Sequence, residues 1–274
     1  VICEKPLATS KEDAAQLVAV AKAADAVAAV PFVYRYYPTI REARSRIAGA
    51  SQDQLWLLHG SYLQDWLAAN AQTNWRVDPE VGGASRAFAD IGVHWCDLME
   101  FTTNHRITRL IARMSTAYAD RPSGPSMASV GTEDGAIVMF ETDRGATGSV
   151  VVSQVSPGRK NRLWFSFDGL NTSYVFDQEL PDSLWVGTQQ ETRIVSRSPE
   201  MVSSSPAHAN ALLPAGHPQG FQDCFNAFVS DVYAATRGDK PEAMPTFDDG
   251  LRAAAITEAV ITSARTHNWV EVAG

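Results

Sequence analysis

EDGAIVMFET–DRG–ATGSVVVSQV, residues 133–155, sets the fold class. Each half has the β-rich or period-two character of a strand. Asp143-Arg144-Gly145 between the halves is a turn signal. The pair reads as an antiparallel hairpin. Outward from it, runs of similar character fill 107–118, 162–168, 172–177, 183–187 and 192–196, with another turn at Asp168-Gly169. Upstream, Leu55–Leu63 reads as a strand and 68–86 as a long Asn/Gly/Pro-bearing loop. Phe88–Thr102 spaces Ile91, Trp95, Leu98 and Met99 as a helix does. Downstream, the Ser/Pro/Ala-rich segment 196–218 predicts an irregular excursion. Helices are expected over 219–237 and 247–266, the second behind the capping spacing Thr246-Phe-Asp-Asp249, and a short strand over 269–272.

The front of the chain has a different rhythm. Val1–Cys3 is a short apolar strand, Ser10-Lys-Glu-Asp13 opens a helix over 10–25, Val27–Tyr34 is β-rich, and Pro38 opens a helix over 39–48. Strand, helix, strand is the tail of a parallel α/β sheet. The chain begins at Val1, already inside a strand, which predicts that it is a fragment of a longer reading frame.

The 274 residues carry 23 Lys+Arg against 31 Asp+Glu, a formal net charge of −8. No basic cluster offers the positive field that a phosphate backbone requires, so nucleic acid is not an expected partner. No apolar run approaches the roughly 20 residues of a membrane span, and no signal peptide is visible. Cys3, Cys96 and Cys224 are scattered and odd in number, as reduced cytoplasmic thiols are.

Chemistry concentrates between residues 75 and 97. Trp75-Arg76 and Gly82-Gly83 precede Asp90-Ile-Gly92-Val-His94-Trp-Cys96-Asp97. On a regular helix Asp90, His94 and Asp97 share a face, and a carboxylate one turn from an imidazole orients the ring and raises its basicity. That is a general base, or equally a structural Asp–His pair. A metal reading of His94, Cys96 and Asp97 lacks further ligands. Lys5 follows a strand, at the sheet edge where α/β proteins bind ligands, and there a fixed positive charge can polarise a substrate oxygen. A solvated surface lysine is the alternative. His217, between Gly216 and Pro218, either reaches a cleft or serves a helix entry. Tyr62 and Trp66 either line a pocket or pack.

Taken together, Glu4-Lys5-Pro6, Tyr34-Arg35-Tyr36-Tyr37-Pro38, Trp75-Arg76, Gly82-Gly83, Asp90-Ile91-Gly92-x-His94, Pro214-Ala-Gly-His217-Pro218, Phe247-x-Asp-Gly250 and Trp269-Val270 resemble, in order and spacing, the glucose–fructose oxidoreductase/inositol dehydrogenase/rhizopine-catabolism (Gfo/Idh/MocA) family. The resemblance implies an NAD(P)-dependent oxidoreductase acting on a sugar, inositol or similar polyol. It implies an α/β remnant of a Rossmann domain over 1–50. An α+β domain would follow over 51–274, with a large, mostly antiparallel open sheet and helices on one face. The last helix would pack back on the remnant, and the open sheet face would carry a homo-oligomer. Lys5 would stabilise the reacting oxygen, His94 take its proton and Asp90 bind or orient the substrate, with His217 and Tyr62 beside it. Glu4, Lys5, Trp75 and Arg76 would approach NAD or NADP. The pattern departs at Val33, where relatives carry Asn. It also departs in the absence of Gly-x-Gly-x-x-Gly, the turn that seats a dinucleotide phosphate on a helix N-terminus. Weak or no cofactor binding is therefore expected of this chain, and a cofactor-free oligomeric sheet module is the rival reading.

Overall fold

The first residues do pair as the tail of a parallel sheet, but minimally. Ile2 bridges Ala29 in parallel, with Cys3 N–H donating to the Ala29 carbonyl and Ala29 N–H to the Val1 carbonyl, both at 3.0 Å. Our computed structural model describes residues 1–50, 52–123, 126–198, 211–242 and 244–273. Helix α1 (Lys11–Ala23) starts as its sequence asks: Ser10 Oγ accepts the Asp13 N–H at 3.1 Å and donates to Asp13 Oδ2 at 2.8 Å. The strand expected over Val27–Tyr34 is a correction. Only Ala29 bridges, and Val33–Tyr36 coils into a 3₁₀ turn that buries all four of its side chains. A 3₁₀ turn closes its backbone hydrogen bonds locally, so the segment needs no partner strand. Pro38 then occupies the first position of α2 (Pro38–Gly49), where its missing N–H costs nothing.

Next come β1 (Leu55–Leu63), a 3₁₀ turn at Trp75–Val77, α3 (Pro79–Gly82), a π-helical turn at Phe88–Gly92 and α4 (Val93–Thr103). The expected loop 68–86 thus holds two short turns of helix. The strands follow: β2 (Ile107–Ser115), β3 (Asp120–Ser123), β4 (Ser126–Ser129), β5 (Gly135–Thr142), β6 (Thr147–Ser153), β7 (Arg162–Gly169), β8 (Ser173–Asp177), β9 (Ser183–Gly187) and β10 (Thr192–Ser196). The small β3–β4 hairpin was not foreseen. Helices α5 (Phe221–Thr236) and α6 (Phe247–Thr266) and the strand β11 (Val270–Glu271) close the chain. Of the expected irregular segment 196–218, residues 199–210 lie outside the described residues.

The nine-stranded sheet runs β10-β9-β8-β7-β1-β6-β5-β2-β11. Only β1 and β6 pair in parallel, Leu58 opposite Gly148 and Tyr62 opposite Val152; the other pairs are antiparallel. Alternation holds: Val138, Phe140, Val150 and Val152 point into a core where Ile137, Met139 and Val151 face out. Helices α2, α4 and α6 lie on the inner side, and α6 packs on α1 and β2. One hydrophobic cluster runs from Leu7 and Val18 through Phe140 and Phe165 to Val260 and Val272. It crosses the boundary expected at residue 50.

Gly60 sets how closely α4 approaches the sheet. A Cβ there would stand 2.2 Å from the Trp164 carbonyl oxygen and 2.4 Å from Trp95 Nε1, which donates to that carbonyl at 2.9 Å directly over the glycine. Trp95 is the neighbour of His94, so this hydrogen bond fixes the helix that carries the imidazole.

Candidate active site

A lysine on its own is a mobile, hydrated charge. Lys5 is held instead: its Nζ donates to the Asp90 backbone carbonyl and to Asp90 Oδ1, each at 2.6 Å, and the side chains are 14% and 15% exposed. An ammonium has three protons, so one N–H remains for another acceptor. Gln154 Nε2 donates to the other carboxylate oxygen, Asp90 Oδ2, at 2.7 Å, and Arg76 Nε lies 3.9 Å from Oδ1.

His94 is buried, edge-on to the rings of Tyr34 at 4.9 Å and Phe32 at 5.6 Å, and Nδ1 has no hydrogen-bond partner among the described residues. Burial and, next, the Lys5 charge hold its pKa well below the ordinary 6.5. The imidazole is therefore neutral near pH 7, as a proton acceptor must be. This corrects the expected route. Among the described residues no carboxylate raises the basicity of the ring. The π-turn, closed by Val93 N–H to the Phe88 carbonyl, offsets Asp90 from the regular spacing, and Asp90 spends both oxygens on Lys5 and Gln154. Asp97 faces elsewhere. It takes Arg35 on both oxygens, and Arg35 also reaches Asp249 at 2.7 Å.

A polar wall stands beside the imidazole. Tyr62 donates to Asn161 Oδ1 at 2.7 Å, Tyr34 and Tyr62 share a 2.5 Å hydrogen bond, and Asn161 Nδ2 lies 3.4 Å from the Tyr34 oxygen. With the Tyr62 proton committed to Asn161, Tyr34 is the donor in the shared bond. Gln64 Nε2 donates to the same Asn161 oxygen at 2.7 Å, and Gln64 Oε1 accepts Trp66 Nε1–H at 2.8 Å. Burial pushes both phenols up, so they are neutral hydroxyls.

Trp75 is 55% exposed, and the Arg76 guanidinium lies 4.3 Å from its ring centroid. The helix that follows their turn, α3, ends at Gly83, whose φ of +87° only glycine adopts without strain, and which rests against Thr9 just after the Glu-Lys-Pro segment. Glu4 is exposed and accepts only its neighbour's N–H, from Lys5 at 3.2 Å. A flat exposed aromatic, a guanidinium and an ammonium at one edge are a donor set that fits the reacting end of a nicotinamide dinucleotide. The loop is anchored from below by buried Arg86, which bonds Asp134 and donates to the Glu133 carbonyl at 2.9 and 3.1 Å; Arg121 also bonds Asp134.

The structure thus brings together Lys5, Asp90, His94, Arg76 and Tyr62. It does not bring His217 to them. Arg197 binds the carbonyls of Leu213 and His217, and the His217 imidazole is exposed with no hydrogen bond to the cluster. The cysteine of the metal reading, Cys96, is buried, and burial raises its thiol rather than readying a thiolate. The reading from sequence missed Tyr34 as a single residue, and Gln64, Gln154 and Asn161 altogether. Gln154 left a trace: Val150 and Val152 are inward members of β6, so position 154 falls on the same inward row.

A sheet covered on one side by helices thus carries a held lysine beside a buried imidazole, the pair that the resemblance to an oxidoreductase family calls for. Comparisons bear on it directly. Residues 40–174 match the GFO/IDH/MocA C-terminal domain. The oxidoreductase domain protein from Kribbella flavida, a solved structure, is 32% identical with a TM-score of 0.90, over 100% of this chain and 74% of its own. Levoglucosan dehydrogenase from Pseudarthrobacter phenanthrenivorans is 28% identical over 99% of this chain and 73% of its own length. A levoglucosan dehydrogenase structure in complex with NADH and L-sorbose is 29% identical, with a TM-score of 0.91 over 99% of this chain and 73% of its own. The chain belongs to the GFO/IDH/MocA family of oxidoreductases.

Proposed function

We propose that the protein moves a hydride between a nicotinamide cofactor, NAD or NADP, and a secondary alcohol or ketone of a sugar, inositol or similar polyol. The observation that carries this is Lys5, locked on Asp90 with one N–H to spare, beside an imidazole kept neutral by burial. The bound cofactor supplies the hydride acceptor. In the oxidising direction, the free N–H of Lys5 donates to the alcohol oxygen and steadies the charge it gains, while His94 accepts the hydroxyl proton as the C–H bond gives up its hydride. Asp90 orients Lys5. The hydroxyls of Tyr34 and Tyr62 and the amides of Asn161 and Gln64 meet further hydroxyls, and Trp66 offers an aromatic face for a sugar ring. Trp75 and Arg76 receive the cofactor. A nicotinamide cofactor and a sugar ligand in the levoglucosan dehydrogenase structure support the reading.

In this reading residues 1–50 belong to the cofactor side and 51–274 to the substrate side. The outward pair Ile137 and Val151, opposite each other on β5 and β6, with Met139 beside them, supports self-association through the open sheet face. The test of the reaction is a panel of polyols and aldoses followed by nicotinamide absorbance. His94→Ala and Lys5→Ala should each lower kcat by about 10²–10⁴-fold. Near-normal turnover in either variant would remove that residue from the mechanism, and no turnover of any polyol by unmodified protein that calorimetry shows to have NAD or NADP bound would defeat the proposal.

A further inference from the structure

Gln154 follows the last residue of β6 on the inward row of Val150 and Val152, and it is 0% exposed. A buried amide among apolar residues is costly unless it is bonded. Its backbone is fixed from two sides: its N–H donates to the Asp134 carbonyl at 3.0 Å, and its carbonyl accepts the Leu67 N–H at 3.2 Å. Asp134 is in turn paired with the buried Arg86 and Arg121. From this mount Nε2 reaches Asp90 Oδ2 at 2.7 Å, while Oε1 stays without a partner among the described residues. The amide is half unsatisfied on its own account. It is placed for its donor.

We propose that Gln154 is a positioning residue for Lys5, acting through Asp90. An aspartate carboxylate turns easily about its terminal torsion, which is broad and two-fold. Arg76, 3.9 Å from Oδ1, is a rival cation for it. With Oδ2 clamped by Gln154, Oδ1 stays on Lys5, and the remaining ammonium proton keeps one direction. A neutral amide does this without altering the charge of the site. Glutamate in its place would set two carboxylates against each other and lose the donor. The assignment of the free proton to a substrate oxygen rests on the function proposed above. The clamp itself does not.

The chain has five lysines, Lys5, Lys11, Lys22, Lys160 and Lys240, so Lys5 can be read against four internal standards. The experiment is competitive labelling of the folded protein with an amine-reactive ester, quantified by mass spectrometry. It compares the unmodified chain, Gln154→Met, Gln154→Asn (an amide too short to reach), Asp90→Asn and the double variant Asp90→Asn/Gln154→Met. Loss of a buried hydrogen bond to a charged group should let Lys5 label about tenfold faster relative to the other four in both Gln154 variants. The double variant should label no faster than Asp90→Asn alone, because the two residues act in series. General loosening would also open the buried thiols of Cys96 and Cys224 to a maleimide in the Gln154 variants and overturn the proposal, as would unchanged Lys5 labelling in both variants or additive effects in the double one. In an active enzyme the Gln154 variants should lose kcat about tenfold with KM little moved. Faster Lys5 labelling in a protein that oxidises no polyol would keep the clamp and sink hydride transfer. An active enzyme with unchanged Lys5 labelling would sink the clamp alone.

Discussion

His94 sits in an environment far from solution. It is buried, lacks a partner at Nδ1 among the described residues and faces the Lys5 charge, so it resists protonation in the folded chain more than in the unfolded one. Its folded pKa is depressed below the unfolded value near 6.5, so its contribution to stability is full above that pH. The contribution is lost as pH falls through 6.5 toward the folded pKa, with a slope of up to about 1.4 kcal/mol per pH unit. Urea midpoints from pH 8 to pH 5 should therefore fall on the acid side, and His94→Gln should flatten that fall. An equal slope in both proteins would show that the imidazole is not the titrating group. The neutral ring was legible in part. Asp90-x-x-x-His94 announced an imidazole with work to do, but the expected reason, a carboxylate at its side, was wrong. Which neighbour an aspartate takes depends on what folding brings within reach, and here that was a lysine 85 residues away.

At the scale of elements, local signals fared better. Ser10 and Asp13 cap α1 as their spacing asks, and Ser10→Ala should cost about 1 kcal/mol in urea unfolding. The 3₁₀ turn Val33–Tyr36 escaped the reading because Val27–Tyr34 has the composition of a strand. The turn exists to bury Tyr34 beside His94 and to send Arg35 to Asp97 and Asp249. The Arg35 and Asp97 side chains are only 9% and 7% exposed. Removing one partner strands a buried charge, so Arg35→Met should destabilise by about 3–5 kcal/mol. A loss under 1 kcal/mol would mean that water replaces the guanidinium easily. The π-turn at Phe88–Gly92 is likewise invisible to a periodicity argument, since a single wide turn leaves the apolar spacing of the helix after it intact.

For the whole molecule, the sheet has one face under helices and one open. Ile137, Met139 and Val151 are 55%, 49% and 40% exposed on the open face. If self-association uses it, Ile137→Lys with Met139→Lys should lower the mass seen by light scattering to that of one chain and leave the circular dichroism unchanged. A monomeric unmodified protein would end this part of the proposal. Among the described residues no helix is long and apolar enough to cross a membrane.

What the sequence determined by itself is everything written in local pattern: most of the strand succession of the antiparallel sheet, the hairpin at Asp143–Gly145 and the capped helices. Those features depend on residues two to four positions apart, and the chain states them wherever it is read. The sequence also held, as a resemblance, the pairing of Glu-Lys-Pro with Asp-x-Gly-x-His. Tertiary structure alone decided that Lys5 binds Asp90, that Gln154 clamps the far oxygen, that Tyr34 and Tyr62 share a bond beside Asn161, and that His217 stays outside. These contacts join residues from 28 to 127 positions apart. Their partners are chosen by hydrogen-bond reach and burial after the core has formed, and no local pattern encodes that choice.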